Sequence, residues 1–285
     1  MRLDIRYHMR FDYDAPVREA HNEIRVRPRD LPEQRLLAYR LTTLPQTRVL
    51  SFTDYWGTSV DHFGVLPDHD HHEVIAESAV ETRSKEPIGT APIDALHDHE
   101  FVLDHTEFLR GSSHVSWDDA IAGLAHDAVD GADDVATAVA AVVACTRDAL
   151  SYQKGATEIG VSLAELIAGG GGVCQDFTHL AIGLLRAAGV PARYVSGYLF
   201  AADETAADDD NEAVQVQTHA WVEAAIPGRG WLAVDPTNDR PVGERHVVIG
   251  FGRDYDDVAP VRGIYLGNAT PEVDATVEIR RMEPM

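Results

Sequence analysis

A run of four glycines at residues 169–172 ends two residues before Cys174 and the amphipathic segment that follows it. Across residues 177–188 apolar side chains recur at three- and four-residue spacing, and Gly189 and Pro191 end the pattern. These features predict a helix with Cys174 in or just before its first turn. Unpaired backbone N–H groups and the positive end of the helix dipole stabilise a thiolate at this position. We therefore expect a reactive cysteine at a helix start, approached by a mobile glycine segment.

Three predicted strands follow this helix, and the last two carry polar candidates for catalysis. They cover residues 193–200, 213–224 and 231–235. If the hairpin between the last two strands is centred on Pro227, residues whose numbers add up to 454 face each other, and His219 lies directly opposite Asp235. Directly opposed residues have Cβ atoms about 5 Å apart, close enough for an imidazole–carboxylate hydrogen bond unless a bulge changes the register.

Cys174, His219 and Asp235 supply the groups that thiol catalysis requires: a nucleophile, a base and an orienting carboxylate. His219 can form a thiolate–imidazolium pair with Cys174 and then protonate the leaving amine, while Asp235 fixes the ring tautomer. The backbone N–H of Cys174 is the expected oxyanion donor, and loss of one such donor typically costs about 3 to 4 kcal/mol. The alternative for Cys174 is a structural thiol without a catalytic role.

Four blocks of sequence, in order between about residues 133 and 240, resemble the transglutaminase-like, papain-related core. The blocks are residues 172–180, 186–198, 219–223 and 230–238. The resemblance implies helices packed on an antiparallel sheet, with Cys174, His219 and Asp235 as nucleophile, base and orienting residue. The β-rich domain that precedes this core in bacterial and archaeal members is similar to residues 13–17, 22–29 and 54–60. The family includes transglutaminases, peptidases, deamidases and members without catalysis, so the resemblance leaves the substrate open.

The hydrophobic periodicity divides the chain into parts of different character and predicts an α+β fold. Residues 1–82 show period-two alternation punctuated by proline, which predicts an N-terminal antiparallel β domain. Residues 83–130 are rich in Pro, His and Asp and predict a linker with short helices. Residues 131–285 predict the catalytic core, with helices packed on an antiparallel sheet, and the C-terminal strands. Within this core, the capping box formed by Ser162 and Glu165 marks a helix start.

The formal net charge of -23 over 285 residues constrains the partners and the environment. This charge repels phosphate backbones and anionic lipid surfaces, so we expect neither nucleic acid nor membrane as a partner. The N-terminus lacks a signal-peptide pattern, and no run approaches the roughly 18 to 20 apolar residues that span a bilayer, so a cytoplasmic protein is expected. The acid is spread along a chain with only two lysines, Lys85 and Lys154, a composition typical of a halophilic cytoplasm. The sequence leaves the oligomeric state open.

The second cysteine and the histidine-rich segments are interpreted as structural. Two cysteines cannot form a disulfide framework or a four-thiolate zinc site, and Cys145 lies in an apolar helical stretch that predicts a buried, inert thiol. Residues 68–73 combine Asp, His and Glu, but these side chains are adjacent rather than helically spaced, so a solvated hairpin tip is favoured over a metal site. Asp176 is interpreted as a partner of the helix dipole. We expect no metal and no cofactor.

Together these features predict a thiol-dependent acyl-transfer enzyme that acts on a peptide or protein amide. Hydrolysis of a peptide or isopeptide bond is favoured, because water is the default acyl acceptor and a crosslinking enzyme in the cytoplasm would damage its neighbours. Two alternatives stay open: a protein-glutamine transglutaminase, and a catalytically silent module that binds peptides through the same cleft. The joint presence of Cys174, His219 and Asp235 favours an enzyme over the silent module.

Overall fold

The computed structural model describes residues 1–155, 160–200, 214–216, 218–238 and 241–282. Its strands are β1 (Arg2–Ile24), β2 (Gln34–Leu44), β3 (Leu50–Thr53), β4 (Ser59–Val65), β5 (His69–Thr82), β6 (Ser151–Tyr152), β7 (Gly171–Gly172), β8 (Ala192–Leu199), β9 (Val214–Val216), β10 (Thr218–Ile226), β11 (Gly230–Val234), β12 (His246–Gly252), β13 (Val261–Leu266) and β14 (Pro271–Met282). Its α-helices are α1 (His99–Asp104), α2 (Asp119–Val129), α3 (Val135–Ala149), α4 (Leu163–Gly169), α5 (Cys174–Ala187) and α6 (Tyr255–Val258). Short 3-10 helices cover Ile93–His97 and Thr106–Phe108. Within the described residues, no helix combines the length and apolar character needed to cross a membrane.

Strand β1 is the centre of the N-terminal sheet, and its side chains alternate between the core and solvent. Leu3, Ile5 and Tyr7 are buried at every second position, as the sequence pattern predicts. β1 pairs antiparallel with β5 on one side and β14 on the other, so that Ile5 faces both Ser78 and Ile279. β2 extends the sheet beyond β5. This antiparallel sheet, together with a core of helices and strands, confirms the predicted α+β fold.

The C-terminal strands β13 and β14 belong to the N-terminal sheet, although the sequence analysis groups them with the core. Both pair antiparallel with β1. Val277 and Ile279 of β14 are buried in the same apolar cluster as Ile5. β9 pairs with β14 just before the chain enters β10 of the core sheet, so the two sheets are linked there. Local periodicity identifies a strand but not its partner, and this explains the different grouping.

The region predicted as a linker contributes a helix to the core. α2 begins after Asp118, whose side chain accepts a hydrogen bond from the backbone N–H of Ile121. Ile121 and Ala125 are buried in one cluster with residues of α3 and α5. Because these two side chains are four residues apart, they share the face of α2 that packs on the core. The linker therefore ends before α2.

The core sheet has the strand order β11-β10-β8-β12, and α5 packs across β10 and β8. Leu180, Leu184 and Leu185 of α5 are fully buried in the cluster that also contains Val222 of β10. This packing fixes the orientation of the helix. It places Cys174, the first residue of α5, next to the beginning of β10.

The glycine run in front of α5 is regular structure rather than the mobile approach expected from the sequence. α4 ends at Gly169, and Gly170 adopts the left-handed C-cap conformation with a φ of 66°. The next two glycines form β7, which is buried and pairs in parallel with β6. The carboxylate of Asp176 then accepts a 2.8 Å hydrogen bond from the backbone N–H of Val173 and so caps the start of α5. The segment that leads to Cys174 is thus held by the pairing of β7 with β6 and by the hydrogen bond between Val173 and Asp176.

Gly172→Ala is expected to disturb the start of α5. A Cβ at this position would lie 2.7 Å from the Cβ of Asp176 and 2.8 Å from its Oδ2, which is closer than packed atoms approach. We expect a stability loss of about 1 to 3 kcal/mol in urea unfolding and slower alkylation of Cys174 by iodoacetamide. Gly169→Ala is the matched control, because its Cβ would meet nothing within 4 Å. Equal behaviour of the two variants would contradict this account of the glycine run.

Candidate active site

Cys174 lies in the wall of a cleft with a volume of about 590 Å³. Its side chain is partly exposed, and Sγ is 4.0 Å from the carbonyl oxygen of Thr218. As the first residue of α5, Cys174 has a backbone N–H without a partner inside the helix. The N-terminal sheet contributes to the same cleft through Tyr7 and Val277. The thiol is therefore accessible between the two sheets.

His219 lies on β10 and connects Cys174 to Asp235. Its Nε2 is 2.8 Å from Oδ2 of Asp235, which leaves Nδ1 for the thiol. Burial lowers the pKa of His219, but hydrogen bonds with Asp235 and Cys174 and their negative charges outweigh this effect and raise the pKa to about 9. These contacts therefore favour the imidazolium form of His219.

Asp235 follows β11 directly and is almost fully buried. Its Oδ1 accepts hydrogen bonds from the backbone N–H groups of Thr237 at 2.9 Å and Asn238 at 3.1 Å. Its Oδ2 accepts from His219 and, at 2.9 Å, from Nδ2 of Asn238. Burial acts to raise the pKa of this carboxyl, but the donors from His219, His246 and Asn238 hold it well below its usual range. The group is thus a fixed anion that orients the imidazole.

The hairpin that carries His219 and Asp235 has a different register from the predicted one. Ile226 faces Gly230, so the numbers of paired residues add up to 456 rather than 454, and the hairpin is centred on Gly228. The predicted direct opposition of His219 and Asp235 is therefore wrong. The shift of two residues keeps both side chains on one face, where diagonal neighbours are still within reach of long side chains. This explains why the contact forms despite the shifted register.

Sequence reasoning missed two residues that contact Asp235. Asn238 stands in the same sequence block as Asp235, and its position three residues later is a turn signal that could have identified it. His246 begins β12, and its Nε2 is 3.5 Å from Oδ2 of Asp235. The strand order of the core sheet brings His246 near the site, and no local sequence pattern predicts this position.

One group of described residues has the composition of a metal site: His219, Asp235 and His246 each offer a ligand atom, and these atoms lie within 4.8 Å of one another. However, Nδ1 of His246 accepts a 3.2 Å hydrogen bond from the backbone N–H of Gly243. A backbone N–H can only donate, so the proton of a neutral His246 ring is on Nε2, the atom that would have to bind the metal. The contacts of His246 therefore favour a hydrogen-bond network over metal binding.

The histidine-rich segment 68–73 is not a solvated hairpin tip throughout. His71 is exposed and bonded to Asp70. His72 is fully buried and stacks on Phe11 with ring centroids 4.3 Å apart. The difference arises because β5 already begins at His69, and its alternation turns His72 inward.

Comparison with known proteins gives matches to two family models. Residues 3–81 match the bacterial transglutaminase-like N-terminal region, and residues 122–236 match the transglutaminase-like superfamily. An uncharacterised protein of Mycobacterium leprae (strain TN) is 34% identical over 271 residues, which cover 95% of each chain. An uncharacterised protein of Mycobacterium tuberculosis (strain ATCC 25618 / H37Rv) is 31% identical over 291 residues, which cover 98% of this chain and 92% of the relative.

Two further comparisons concern a local match and the fold. A protein-glutamine gamma-glutamyltransferase of Pseudomonas aeruginosa is 42% identical over 66 residues, which are 23% of this chain and 10% of that protein. A solved structure from Cytophaga hutchinsonii, provisionally named a cysteine protease, has a TM-score of 0.79 and 24% sequence identity. The match covers 100% of this chain and 92% of that chain, so the two share their fold over nearly their whole length.

Proposed function

We propose that this chain, which belongs to the transglutaminase-like superfamily, hydrolyses a peptide or isopeptide bond with Cys174, His219 and Asp235 as catalytic residues. The observation that carries the proposal is one imidazole in contact with both other groups. His219 is bonded to Asp235 through Nε2 at 2.8 Å, and Cys174 joins Asp235 among the groups that raise the pKa of His219. A purely structural thiol needs neither partner, so the arrangement favours catalysis over a silent binding module.

The acylation half-reaction follows from these contacts. The thiolate of Cys174 attacks the amide carbonyl carbon, and a C–S bond forms as the carbonyl oxygen becomes an oxyanion. The backbone N–H of Cys174, which has no partner inside α5, is the expected donor to this oxygen. The imidazolium of His219 gives its proton to the leaving nitrogen, the C–N bond breaks, and the amine departs. Asp235 holds the ring in the required tautomer throughout.

Deacylation reverses the proton transfer. Neutral His219 removes a proton from a water molecule, and the resulting hydroxide attacks the thioester carbonyl. The C–S bond breaks, the carboxylic acid leaves, and the thiolate–imidazolium pair is restored. The same residues thus serve both halves of the reaction. The product is a carboxylic acid because water is the acyl acceptor.

The lining of the cleft supports water rather than an amine as the acyl acceptor. Among the described residues that line it there is no Asp or Glu, and Lys154 contributes a positive charge. This contrasts with the net charge of -23 of the chain. A lysine side chain or another cationic amine is attracted by carboxylates and repelled by an ammonium group, so this lining does not favour an amine acceptor.

A glutamine-directed acyl transfer is the second candidate. The local identity of 42% with a protein-glutamine gamma-glutamyltransferase favours it. Both candidates share the acyl-enzyme on Cys174, and they differ only in whether water or an amine attacks it. A measurement of the partition between these acceptors therefore separates them.

Thiol labelling tests the proposed function with an internal control. Cys145 is the second cysteine of the chain, and burial, with a smaller effect of Asp148, raises its pKa. We expect iodoacetamide to alkylate Cys174 about ten times faster than Cys145, or more, near pH 7, because only Cys174 has an imidazolium partner. Mass spectrometry of the two cysteine peptides gives both rates. Reaction of Cys174 no faster than that of a model thiol would support the silent module instead.

A second stage of the same test measures the acceptor. Fluorogenic peptide amides and glutamine-containing peptides are incubated with the chain, with and without cadaverine. Hydrolysis is expected to exceed amine incorporation, and Cys174→Ala is expected to remove both activities. Incorporation that outpaces hydrolysis would replace the hydrolase by the transferase.

A further inference from the structure

His246 is a buried imidazole whose two ring nitrogens both have partners at the candidate active site. Its side chain is only 5% exposed. Nδ1 accepts from the backbone N–H of Gly243 at 3.2 Å, so the Nε2 of the neutral ring carries the proton and faces Oδ2 of Asp235 at 3.5 Å. The tautomer of His246 is thus set by the backbone.

The ring of His246 is also held by aromatic contacts. It lies edge-on to Trp221, with ring centroids 5.2 Å apart. Trp221 in turn is roughly parallel to the ring of His219, at a centroid distance of 6.1 Å. Trp221 is fully buried, so the three rings form a packed unit around Asp235.

We propose that His246 is a positioning residue that donates its Nε2–H to Oδ2 of Asp235 and thereby moderates how strongly this carboxylate holds the His219 ring. The proposal rests on the proposed function of Cys174, His219 and Asp235. It adds a fourth side chain, which is not itself part of the cleft lining.

Three donors compete for one oxygen atom of Asp235. Oδ2 of Asp235 accepts from His219 at 2.8 Å, from Asn238 at 2.9 Å and from His246 at 3.5 Å. Each donor withdraws negative charge from Oδ2, so removing one makes this oxygen a stronger acceptor for the remaining donors. An imidazolium that is held more tightly gives up its proton less readily, and His219 must give up a proton to the leaving amine.

The titratable groups that face His219 are few among the described residues. Cys174 approaches from α5, Asp235 from the end of β11, and His246 acts through Asp235 from β12. The uncharged Nδ2 group of Asn238 lies 3.4 Å from Nε2 of His219, and it donates to the same oxygen of Asp235. The ring of His246 also lies 6.2 Å from the ring of His219. Both His246→Asn and His246→Gln remove this ring contact, so a difference between them reports the path through Asp235.

A matched pair of amide substitutions tests the proposal. His246→Asn keeps an acceptor near the position of Nδ1 for Gly243 but cannot reach Asp235. His246→Gln places an amide N–H near the position of Nε2 and keeps the donor to Asp235. The readout is the rate of Cys174 alkylation by iodoacetamide between pH 5 and pH 11, which reports the coupled titration of Cys174 and His219 without requiring an identified substrate.

We expect the alkaline midpoint of this profile to move up by about half a pH unit or more in His246→Asn and to stay at the wild-type value in His246→Gln. An unchanged midpoint in His246→Asn would overturn the proposal, as would an equal shift in both variants. If wild-type Cys174 reacts like a model thiol, the proposed function and this inference fail together. An enhanced wild-type rate with no effect of His246→Asn refutes only the inference.

A measurement on the unsubstituted chain covers the case in which His246→Asn does not fold. Imidazole ¹⁵N NMR distinguishes the two neutral tautomers of each histidine. The neutral His246 ring is expected to carry its proton on Nε2, since Nδ1 is occupied by the N–H of Gly243. A proton on Nδ1 would contradict the proposal, because the ring could then not donate to Asp235.

Discussion

Asp235→Asn is expected to slow amide hydrolysis by about ten-thousandfold while the chain remains folded. The backbone N–H groups of Thr237 and Asn238 donate to Oδ1 and would retain the oxygen of the new amide. Its NH₂ group would then face Nε2 of His219 and require an acceptor there. The ring proton would move to Nδ1, on the side of Cys174, where the ring can no longer act as a base. Turnover of fluorogenic peptide amides measures the loss.

Asp61→Asn is a matched control for this variant. Asp61 is also a buried carboxylate, 1% exposed, and it accepts hydrogen bonds from Arg27 and Tyr39 in the N-terminal sheet. Both variants remove a buried charge, but only Asp235→Asn changes the tautomer of His219. Urea unfolding reports the structural cost of each. Hydrolysis by Asp235→Asn within about tenfold of the control would contradict the orienting role.

The helix that carries Cys174 is predictable from sequence because its signals are local. The apolar spacing across residues 177–188 and the stop at Gly189 and Pro191 depend only on neighbouring residues, and α5 covers Cys174–Ala187. The hairpin register is less predictable. It depends on how many residues the loop uses, and a loop centred on Gly228 rather than Pro227 moves every pair by two. Because side chains alternate between the two faces of a strand, a shift of two residues leaves His219 and Asp235 on the same face, where they are still in contact.

The glycine run shows why a local signal can mislead. Glycine is permissive in the unfolded chain, which suggests mobility, but the same freedom allows the left-handed C-cap at Gly170 and the tight approach of Gly172 to Asp176. Long-range pairing decides between these outcomes. Three features depend on contacts between residues that are far apart in the sequence. They are the pairing of β7 with β6, the pairing of β14 with β1 and the position of His246 beside Asp235.

His219→Gln is expected to lower amide hydrolysis by about 10⁵- to 10⁶-fold, because His219 carries the proton between the thiol and the leaving amine in the proposed mechanism. The wild-type pH profile gives the matching signature. The pKa of His219 is raised to about 9, by hydrogen bonds and charges from Asp235 and Cys174 that outweigh burial. Hydrolysis should therefore fall as the pH rises through about 9, when the imidazolium is lost. A wild-type profile without this alkaline decline would contradict the role of His219 as the acid that protonates the leaving amine.

Stability should follow the same titration, with a sign fixed by linkage. The folded pKa of His219, about 9, lies above its usual value of 6.5, so its contribution to the free energy of unfolding is complete below about pH 6.5 and is lost as the pH rises through about 9. The pKa of Asp235 is lowered from 3.8, so its contribution is complete above about that pH and disappears only in stronger acid. Urea unfolding from pH 5 to pH 10 should show an alkaline decline in the wild type that His219→Gln lacks. Since the substituted chain retains every other titratable group, an equal decline in both would mean that the imidazolium of His219 does not stabilise the fold.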